Sequence, residues 1–224
     1  VGAALAMGNA CVLKPAEEAC LTALAFGRIA QEAGFPAGAI NIVTGLGEEA
    51  GAALSAHRGV SHLSFTGSVA VGQMIQTAAA QNTIPVTLEL GGKSPQIVFA
   101  DADLDAALPF LVNAGIQNCG QTCSAASRIL VERAVFDAVV SRMADRYRAL
   151  RVGPAMDDLD VGPVISARQR EIVQGYLGVA RDTGLKVAAQ AVLPADLPAG
   201  GCYVAPTLLA PAAPDHRLAQ EEIF

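Results

Sequence analysis

The amino-acid sequence predicts an α/β protein in which a parallel sheet is covered by helices. In the first part of the chain, short apolar runs alternate with longer segments whose apolar residues recur at the helical period. Glycine and proline residues separate these segments. Strands that alternate with helices at this spacing are typical of the doubly wound class, because parallel neighbours need a crossover connection and a helix usually supplies it.

Four strands and three helices are predicted in the first part of the chain. One face of the first long helix carries Leu21, Leu24, Ala25 and Ile29, and Gly34 and Pro36 end it. The predicted strands are 10–13, 40–43, 60–65 and 84–89, and the predicted helices are 17–33, 48–56 and a segment that opens at 66–72 and runs to 80. We therefore expect residues 1–91 to form the first domain.

Residues 92–224 predict a second α/β domain. Pro109 lies near the first turns of one helix or kinks it, and Pro206 confines its strand to a sheet edge. A stretch rich in proline, glycine and alanine at 191–201 is expected to be a loop. The predicted strands are 96–99, 127–131 and 203–208, and the predicted helices are 104–116, 134–150 and 168–181.

Composition excludes several classes of protein. Of the 224 residues, 52% are hydrophobic and 16% are charged, which is typical of a folded domain with an ample core. The net charge of −6 and the lack of a long basic block argue against nucleic acid as a partner. No apolar run is long enough to predict a membrane span. Five cysteines without a framework-like spacing suit reduced thiols in the cytoplasm.

Cys123 is the candidate nucleophile. It lies within Asn118–Arg128, where small and polar neighbours leave room for a substrate carbon beside the sulfur. A thiol attacks only as the thiolate, which nearby donors or positive charge favour. Alone, the pattern is more typical of a small-residue turn with a structural cysteine. Cys119 and Cys123 lack a second Cys or His pair, so no metal site is predicted.

Glu89 is the candidate general base. A strand rich in β-branched and apolar residues delivers this carboxylate, and the chain then breaks at Gly91-Gly92. A carboxylate at the end of a strand can reach into a cleft, where it could activate water against a thioester on a cysteine. Alone, it is more typical of a solvated glutamate before a turn.

The segment 65–72 is the candidate phosphate site. Gly67 lets the backbone approach a ligand, and Ser68 can cap the following helix and donate to a phosphate. Gly72 completes a Gly-Ser-x-x-x-Gly pattern, which differs from the usual Gly-x-Gly-x-x-Gly fingerprint. An ordinary strand–turn–helix with a serine cap would give the same pattern.

Together, these stretches resemble the aldehyde dehydrogenase superfamily. Residues 89–95 resemble its glutamate signature, residues 120–128 resemble its cysteine signature, and Glu89 and Cys123 are 34 residues apart, as the family requires. The resemblance runs from Lys14-Pro-Ala-Glu17 to Glu221-Glu-Ile-Phe224. It implies a Rossmann-like nucleotide-binding domain in 1–91 and a catalytic, cysteine-bearing domain in 92–224. It also implies that both domains are truncated and that the chain is an internal piece of a longer protein.

The resemblance further implies a set of cofactor contacts. Lys14 and Glu17 match residues that contact the adenosine ribose, and a carboxylate there favours NAD over NADP, although NADP stays possible. Glu222 matches the residue that binds the nicotinamide ribose, and Phe224 matches one that lies close to the nicotinamide ring. The remaining expected contacts are Gly67, Ser68, Val71, Gly72 and Leu90.

The function implied is oxidation of an aldehyde to a carboxylic acid with NAD(P)⁺, through a thiohemiacetal and a thioester on Cys123 that Glu89 helps to hydrolyse. The parent is expected to be a cytoplasmic homodimer or homotetramer, and the isolated piece is expected to be a poor enzyme. Two other classes stay open from the residues alone. One is a cofactor-independent cysteine hydrolase, and the other is a catalytically silent binding or structural member of the same fold.

Overall fold

In the computed structural model, which describes all 224 residues, the chain folds as two units, Val1–Leu90 and Gly91–Phe224. No helix in either unit combines the length and the apolar character needed to cross a membrane.

The first unit contains two βαβ arrangements. A strand, a helix and a second, parallel strand follow each other twice along the chain, which confirms the predicted α/β class. The strands are β1 (Cys11–Leu13), β2 (Ile40–Ile42), β3 (Leu63–Gly67) and β4 (Val86–Leu90). The α-helices are α1 (Gly2–Ala6), α2 (Cys20–Glu32), α3 (Ala52–Ser55) and α4 (Val69–Ala80), with a 3₁₀ turn at Glu17–Ala19 and a π turn at Gly47–Gly51.

The parallel strands of the first unit form two separate two-stranded sheets. β1 pairs with β2 and β3 pairs with β4, but the two pairs are not hydrogen-bonded to each other. The sequence predicts the parallel direction, because helices connect the strands, but strand order depends on long-range pairing that periodicity does not encode. A small core of Leu63, Ala79 and Ile84 lies between α4 and the β3–β4 pair.

The second unit is built on another parallel pair. Its strands are β5 (Pro95–Val98), β6 (Arg128–Val131), β7 (Val187–Gln190) and β8 (Thr207–Leu209). Its α-helices are α5 (Leu104–Ile116), α6 (Phe136–Arg148), α7 (Ala167–Asp182) and α8 (Arg217–Gln220), with 3₁₀ turns at Gln117–Gly120, Arg133–Val135 and Ala155–Asp157. β5 and β6 are parallel. Their main core includes Leu108 and Leu111 of α5 and Val139 and Met143 of α6.

Two long helices of the second unit, α5 and α7, begin at side-chain caps. The Asp103 carboxylate accepts hydrogen bonds from the amides of Asp105 and Ala106, at 3.0 and 3.2 Å, and so starts α5. The Ser166 hydroxyl accepts one from the amide of Gln169, at 3.1 Å, and starts α7. α5 runs through Pro109 to Ile116 without a break.

The prediction for the last strand is corrected. The expected strand at 203–208 is displaced to Thr207–Leu209, because Pro206 has no amide hydrogen and the regular pairing begins after it. Its antiparallel partner β7, Val187–Gln190, is not predicted from the sequence. Two of its four residues are alanines, which have weak strand propensity, so packing against α6 and pairing with β8 determine its conformation.

Candidate active site

Cys123 lies in a tight turn on the surface of the second unit. The amide of Ala125 donates to the carbonyl of Thr122 at 2.8 Å, which places Cys123 and Ser124 at the two central positions of the turn. The Cys123 side chain is exposed, and its amide hydrogen has no acceptor within the structure. A substrate can therefore reach the sulfur while the Cys123 amide is available to bind a negatively charged oxygen.

The backbone before this turn adopts a left-handed conformation at three consecutive residues. Asn118, Cys119 and Gly120 have φ angles of 51°, 60° and 82°. At a non-glycine residue such a conformation costs on the order of 1 kcal/mol, so the surroundings must hold it.

Gln121 supplies much of that support. Its side-chain amide donates to the carbonyl of Asn118 at 3.1 Å, and the Asn118 side chain returns a hydrogen bond to the carbonyl of Gln121 at 3.0 Å. The Gln121 side-chain oxygen also accepts from the amide of Ile165 at 2.9 Å. The turn that carries Cys123 is therefore anchored to the chain segment before α7.

The second cysteine of this segment differs from Cys123. Cys119 is half-buried, and burial raises the pKa of its thiol, although a hydrogen bond with the backbone of Gly162 counteracts this. Because the thiolate is the reactive form, Cys119 is the weaker nucleophile at neutral pH.

We therefore expect a thiol-directed alkylating reagent to modify Cys123 before Cys119. The measurement is a time course with iodoacetamide at neutral pH on the full-length gene product, followed by peptide mass spectrometry. Cys119→Ser should leave the fast phase intact, whereas Cys123→Ser should remove it. Faster modification of Cys119 in the unaltered protein would contradict this assignment.

Glu89 lies near the carboxyl end of β4 in the first unit. It is opposite Thr66 in the parallel β3–β4 pair, its side chain is exposed, and its carboxylate takes part in no hydrogen bond within the structure. An exposed carboxylate without a partner can accept a proton from water, which is the task predicted for it.

The start of α4 has the features expected of an anion site. The Ser68 side chain accepts a hydrogen bond from the amide of Val71 at 3.3 Å, so the predicted serine cap is present. The first amides of a helix have no intrahelical acceptor, and the helix dipole favours a negative charge beside them. Ser68 and Val71 are both exposed, so the start of α4 is open to solvent.

Two positions near the start of α4, Gly67 and Gly72, have no room for a side chain. A Cβ on Gly67 would lie 2.4 Å from the Phe65 ring, and a Cβ on Gly72 would lie 2.7 Å from a methyl carbon of Leu90. Gly72 therefore lets α4 pack closely on β4, and Leu90 is the side chain that fills the space.

Lys14 and Glu17 form an ion pair in the first unit. The Lys14 ammonium donates to Glu17 at 3.3 Å, to the carbonyl of Gly45 at 3.1 Å and to the carbonyl of Pro15 at 2.8 Å. A hydrogen bond from its own backbone amide, and then the one from Lys14, lower the pKa of the Glu17 carboxyl. Glu17 is therefore ionised at neutral pH and can accept hydrogen bonds from ribose hydroxyls.

Glu222 lies beside the Cys123 turn in the second unit. Its carboxylate accepts a hydrogen bond from the amide of Gly92 at 3.2 Å. A Cβ on Gly92 would lie 4.0 Å from the carbonyl oxygen of Cys123. Gly92 is thus flanked by the predicted ribose-binding carboxylate and by the turn of the predicted nucleophile.

Residues of α7 hold the segment around Glu222. The Gln169 side chain donates to the carbonyl of Phe224 at 2.7 Å, and the Tyr176 hydroxyl donates to the Glu221 carboxylate at 2.8 Å. The Glu221 carboxylate also accepts from Arg217 at 2.7 Å. The Gln169 contact holds the backbone after Glu222, and the amide of Glu221 donates to the carbonyl of Arg217 at 2.9 Å, which holds the backbone before it. Phe224 lies at the end of the same segment.

Arg128 and Lys93 complete this region. The Arg128 guanidinium donates to the carbonyls of Lys93 and Ala219, at 2.9 and 3.2 Å, and its buried Nε has no partner. Partial burial, and then the positive charge of Arg128, lower the pKa of Lys93, whereas Glu222 counteracts this. Arg128 therefore joins the glycine pair to the segment that leads to Glu222.

A cavity of about 580 Å³ lies in the second unit. Its walls are mostly apolar side chains of α6, α7 and β8, and its polar lining includes Lys93, Arg128 and Glu222. The Cys123 side chain does not line it, although Gly120 and Thr122 do. The cavity alone would therefore not have identified the predicted nucleophile.

Sequence reasoning missed the supporting residues of this region. Gln121, Arg128, Gln169 and Tyr176 are polar residues whose partners are distant in the sequence or lie on the backbone. The only sequence signal was the position of Gln121 and Arg128 inside the cysteine signature. The ion pair of Lys14 with Glu17 was not predicted, although their spacing of three residues is compatible with it.

Comparison with known proteins identifies the family. The model of the aldehyde dehydrogenase family matches residues 1–224, and the chain belongs to that family. A 2-hydroxymuconic semialdehyde dehydrogenase from Pseudomonas putida is 43% identical over 229 residues, which cover 100% of this chain and 47% of that protein.

Solved structures agree with this assignment. A crystal structure of a protein from Burkholderia cenocepacia, provisionally named an aldehyde dehydrogenase, is 60% identical to this chain with a TM-score of 0.98. The match covers 99% of this chain and 47% of that protein. Betaine aldehyde dehydrogenase from Staphylococcus aureus, solved in complex with NAD⁺, is 37% identical with a TM-score of 0.92, over 98% of this chain and 44% of that protein. The chain thus spans less than half the length of these relatives.

Proposed function

We propose that the gene product containing this chain oxidises an aldehyde to a carboxylic acid with NAD⁺. The observation that carries the proposal is the arrangement around Gly92 in the second unit. There, the turn that carries an exposed cysteine and a carboxylate suited to a ribose hydroxyl both lie beside Gly92. The family match over the whole chain supports it.

Each unit supplies groups that suit part of a dinucleotide. The capped start of α4 suits its phosphates, the ionised Glu17 suits the hydroxyls of one ribose, and Glu222 suits those of the other. Bound NAD⁺ would supply the acceptor for the hydride that leaves the substrate carbon. We infer that residues 1–91 bind the nucleotide and that residues 92–224 carry the catalytic cysteine.

Cys123 and Glu89 divide the remaining chemistry between them. The Cys123 thiolate adds to the aldehyde carbon and forms a thiohemiacetal, whose oxyanion the Cys123 amide can bind. Loss of hydride converts this adduct to a thioester. Glu89 then takes a proton from water, the hydroxide adds to the thioester carbon, and the Cys123 thiolate leaves as the carboxylic acid is released.

Glu17 supports NAD over NADP. A carboxylate accepts hydrogen bonds from both ribose hydroxyls and repels a 2′-phosphate. A glutamate is ionised at neutral pH, and the lowered pKa of Glu17 extends that charge to more acidic pH.

The aldehyde itself is proposed only as a class. The relatives are named for different substrates, one an acidic semialdehyde and one a cationic betaine aldehyde. We also propose a homodimer or homotetramer and a cytoplasmic location. The five cysteines are free thiols, which suits a reducing compartment.

The direct test follows absorbance of NADH after the full-length gene product is mixed with NAD⁺ and a panel of aldehydes. The panel includes aliphatic, aromatic, acidic and quaternary ammonium aldehydes, and NADP⁺ replaces NAD⁺ in a parallel series. We expect NADH formation with at least one aldehyde and slower turnover with NADP⁺. Ester hydrolysis without any aldehyde oxidation would instead indicate a cofactor-independent hydrolase, and no binding of NAD⁺ would exclude the proposal.

A further inference from the structure

The Glu222 carboxylate lies directly against the backbone of Gly91. A Cβ built on Gly91 would be 1.8 Å from Oε2 of Glu222 and 2.6 Å from its carboxyl carbon. A methyl carbon cannot approach a carboxylate this closely, because the atoms would overlap. Any side chain at position 91 would therefore displace the carboxylate from its place beside the Gly92 amide.

The conformation of Gly91 does not itself require glycine. The φ angle of Gly91 is outside the left-handed region, where side chains are disfavoured. Gly92 is similar, but a Cβ there would meet only the carbonyl oxygen of Cys123, at 4.0 Å. The steric conflict is thus specific to position 91 and to Glu222.

The surroundings leave the Glu222 side chain as the part that would move. Gln169 donates to the carbonyl of Phe224, the amide of Glu221 donates to the carbonyl of Arg217, and Arg128 bridges the carbonyls of Lys93 and Ala219. These contacts oppose a shift of either backbone segment. The χ angles of Glu222 are softer, because rotation about side-chain bonds breaks no backbone contact.

We propose that Gly91 is a positioning residue for Glu222. Because Gly91 has no Cβ, the Glu222 carboxylate can lie against it, with Oε1 held by the Gly92 amide and Oε2 in the space that a side chain would fill. This inference rests on the proposed function, in which Glu222 accepts a hydrogen bond from a ribose hydroxyl of NAD⁺. Gly91 then affects the affinity for NAD⁺ indirectly, because it determines where the Glu222 carboxylate lies.

The test is a double-mutant cycle in the full-length gene product with Gly91→Ala, Glu222→Ala and the combined variant. The readouts are the dissociation constant for NAD⁺ by calorimetry, thermal melting, and a crystal structure of Gly91→Ala. Gly175→Ala is the matched control, because a Cβ on that α7 residue meets nothing within 4 Å. It should bind NAD⁺ as the unaltered protein does.

We expect Gly91→Ala and Glu222→Ala each to weaken NAD⁺ binding roughly 10- to 100-fold, as for loss of a charged hydrogen bond. The combined variant should bind no more weakly than Glu222→Ala alone, and the second substitution should recover any melting temperature lost to the first. In the Gly91→Ala crystal structure the carboxylate should have left the Gly92 amide.

Three results would overturn the inference. They are unchanged affinity in Gly91→Ala, multiplication of the two effects in the combined variant, and a Glu222 carboxylate that keeps its place in the Gly91→Ala crystal structure. Failure of the proposed function is distinguishable, because the unaltered protein would then bind no NAD⁺, whereas the position of the carboxylate would still be measured.

Discussion

Replacement of Cys123 by alanine is expected to lower aldehyde-dependent NADH formation by on the order of 10⁴-fold or more, because loss of the covalent nucleophile removes the reaction path. The dissociation constant for NAD⁺ should change little, since the Cys123 side chain is exposed at the centre of a surface turn and supports no core contact. The measurement is the steady-state rate with saturating aldehyde and NAD⁺, with calorimetry for cofactor binding.

Cys202→Ala provides the matched control. Cys202 is a partly buried free thiol that does not belong to the cysteine signature, so its replacement should leave the rate close to that of the unaltered protein. Substantial turnover in Cys123→Ala would move the nucleophile elsewhere, and Cys119 would be the next candidate. Its raised thiol pKa makes that outcome physically unfavourable at neutral pH.

Glu89→Gln is expected to slow hydrolysis of the thioester by roughly 10²- to 10⁴-fold, the range for loss of a general base. The amide keeps the shape of the side chain but cannot take a proton from water. Rapid mixing should therefore show a burst of NADH equal to the enzyme concentration, followed by a slow steady state.

Glu32→Gln is the control for this experiment. Glu32 is an exposed carboxylate at the end of α2, and its replacement should leave both phases unchanged. If the burst itself disappeared in Glu89→Gln, Glu89 would act before the thioester forms, for example as the base that deprotonates Cys123. The hydrolytic assignment would then be wrong.

The sequence predicted most helices and strands of the chain because their signals are local. The cap at Ser68 and the end of α2 near Gly34 follow from side-chain and backbone chemistry within a few residues. β7 was missed because Val187–Gln190 is alanine-rich and gains its conformation from β8, whose residues lie far along the chain. Strand order was missed for the same reason, since pairing is decided by long-range contacts.

The candidate site shows the same division. The types and spacing of Cys123 and Glu89 predicted the chemistry, and the spacing of Lys14 and Glu17 allowed their ion pair. The contact of Glu222 with the glycine pair joins residues 130 positions apart, so no periodicity could indicate it. From the sequence, a glycine pair after a strand predicts only flexibility. The fold shows why position 91 must be glycine, since a side chain there would overlap the Glu222 carboxylate.

The central claim is that Cys123 carries the acyl group during catalysis, and the most direct test is to trap that group. Glu89→Gln is mixed with an aldehyde substrate and NAD⁺, quenched in acid, and examined by intact and peptide mass spectrometry. The account predicts a mass gain equal to the aldehyde less two hydrogen atoms, located on the peptide that contains Cys123 and absent without NAD⁺. An acyl group on any other residue, or turnover without an acylated Cys123, would contradict it.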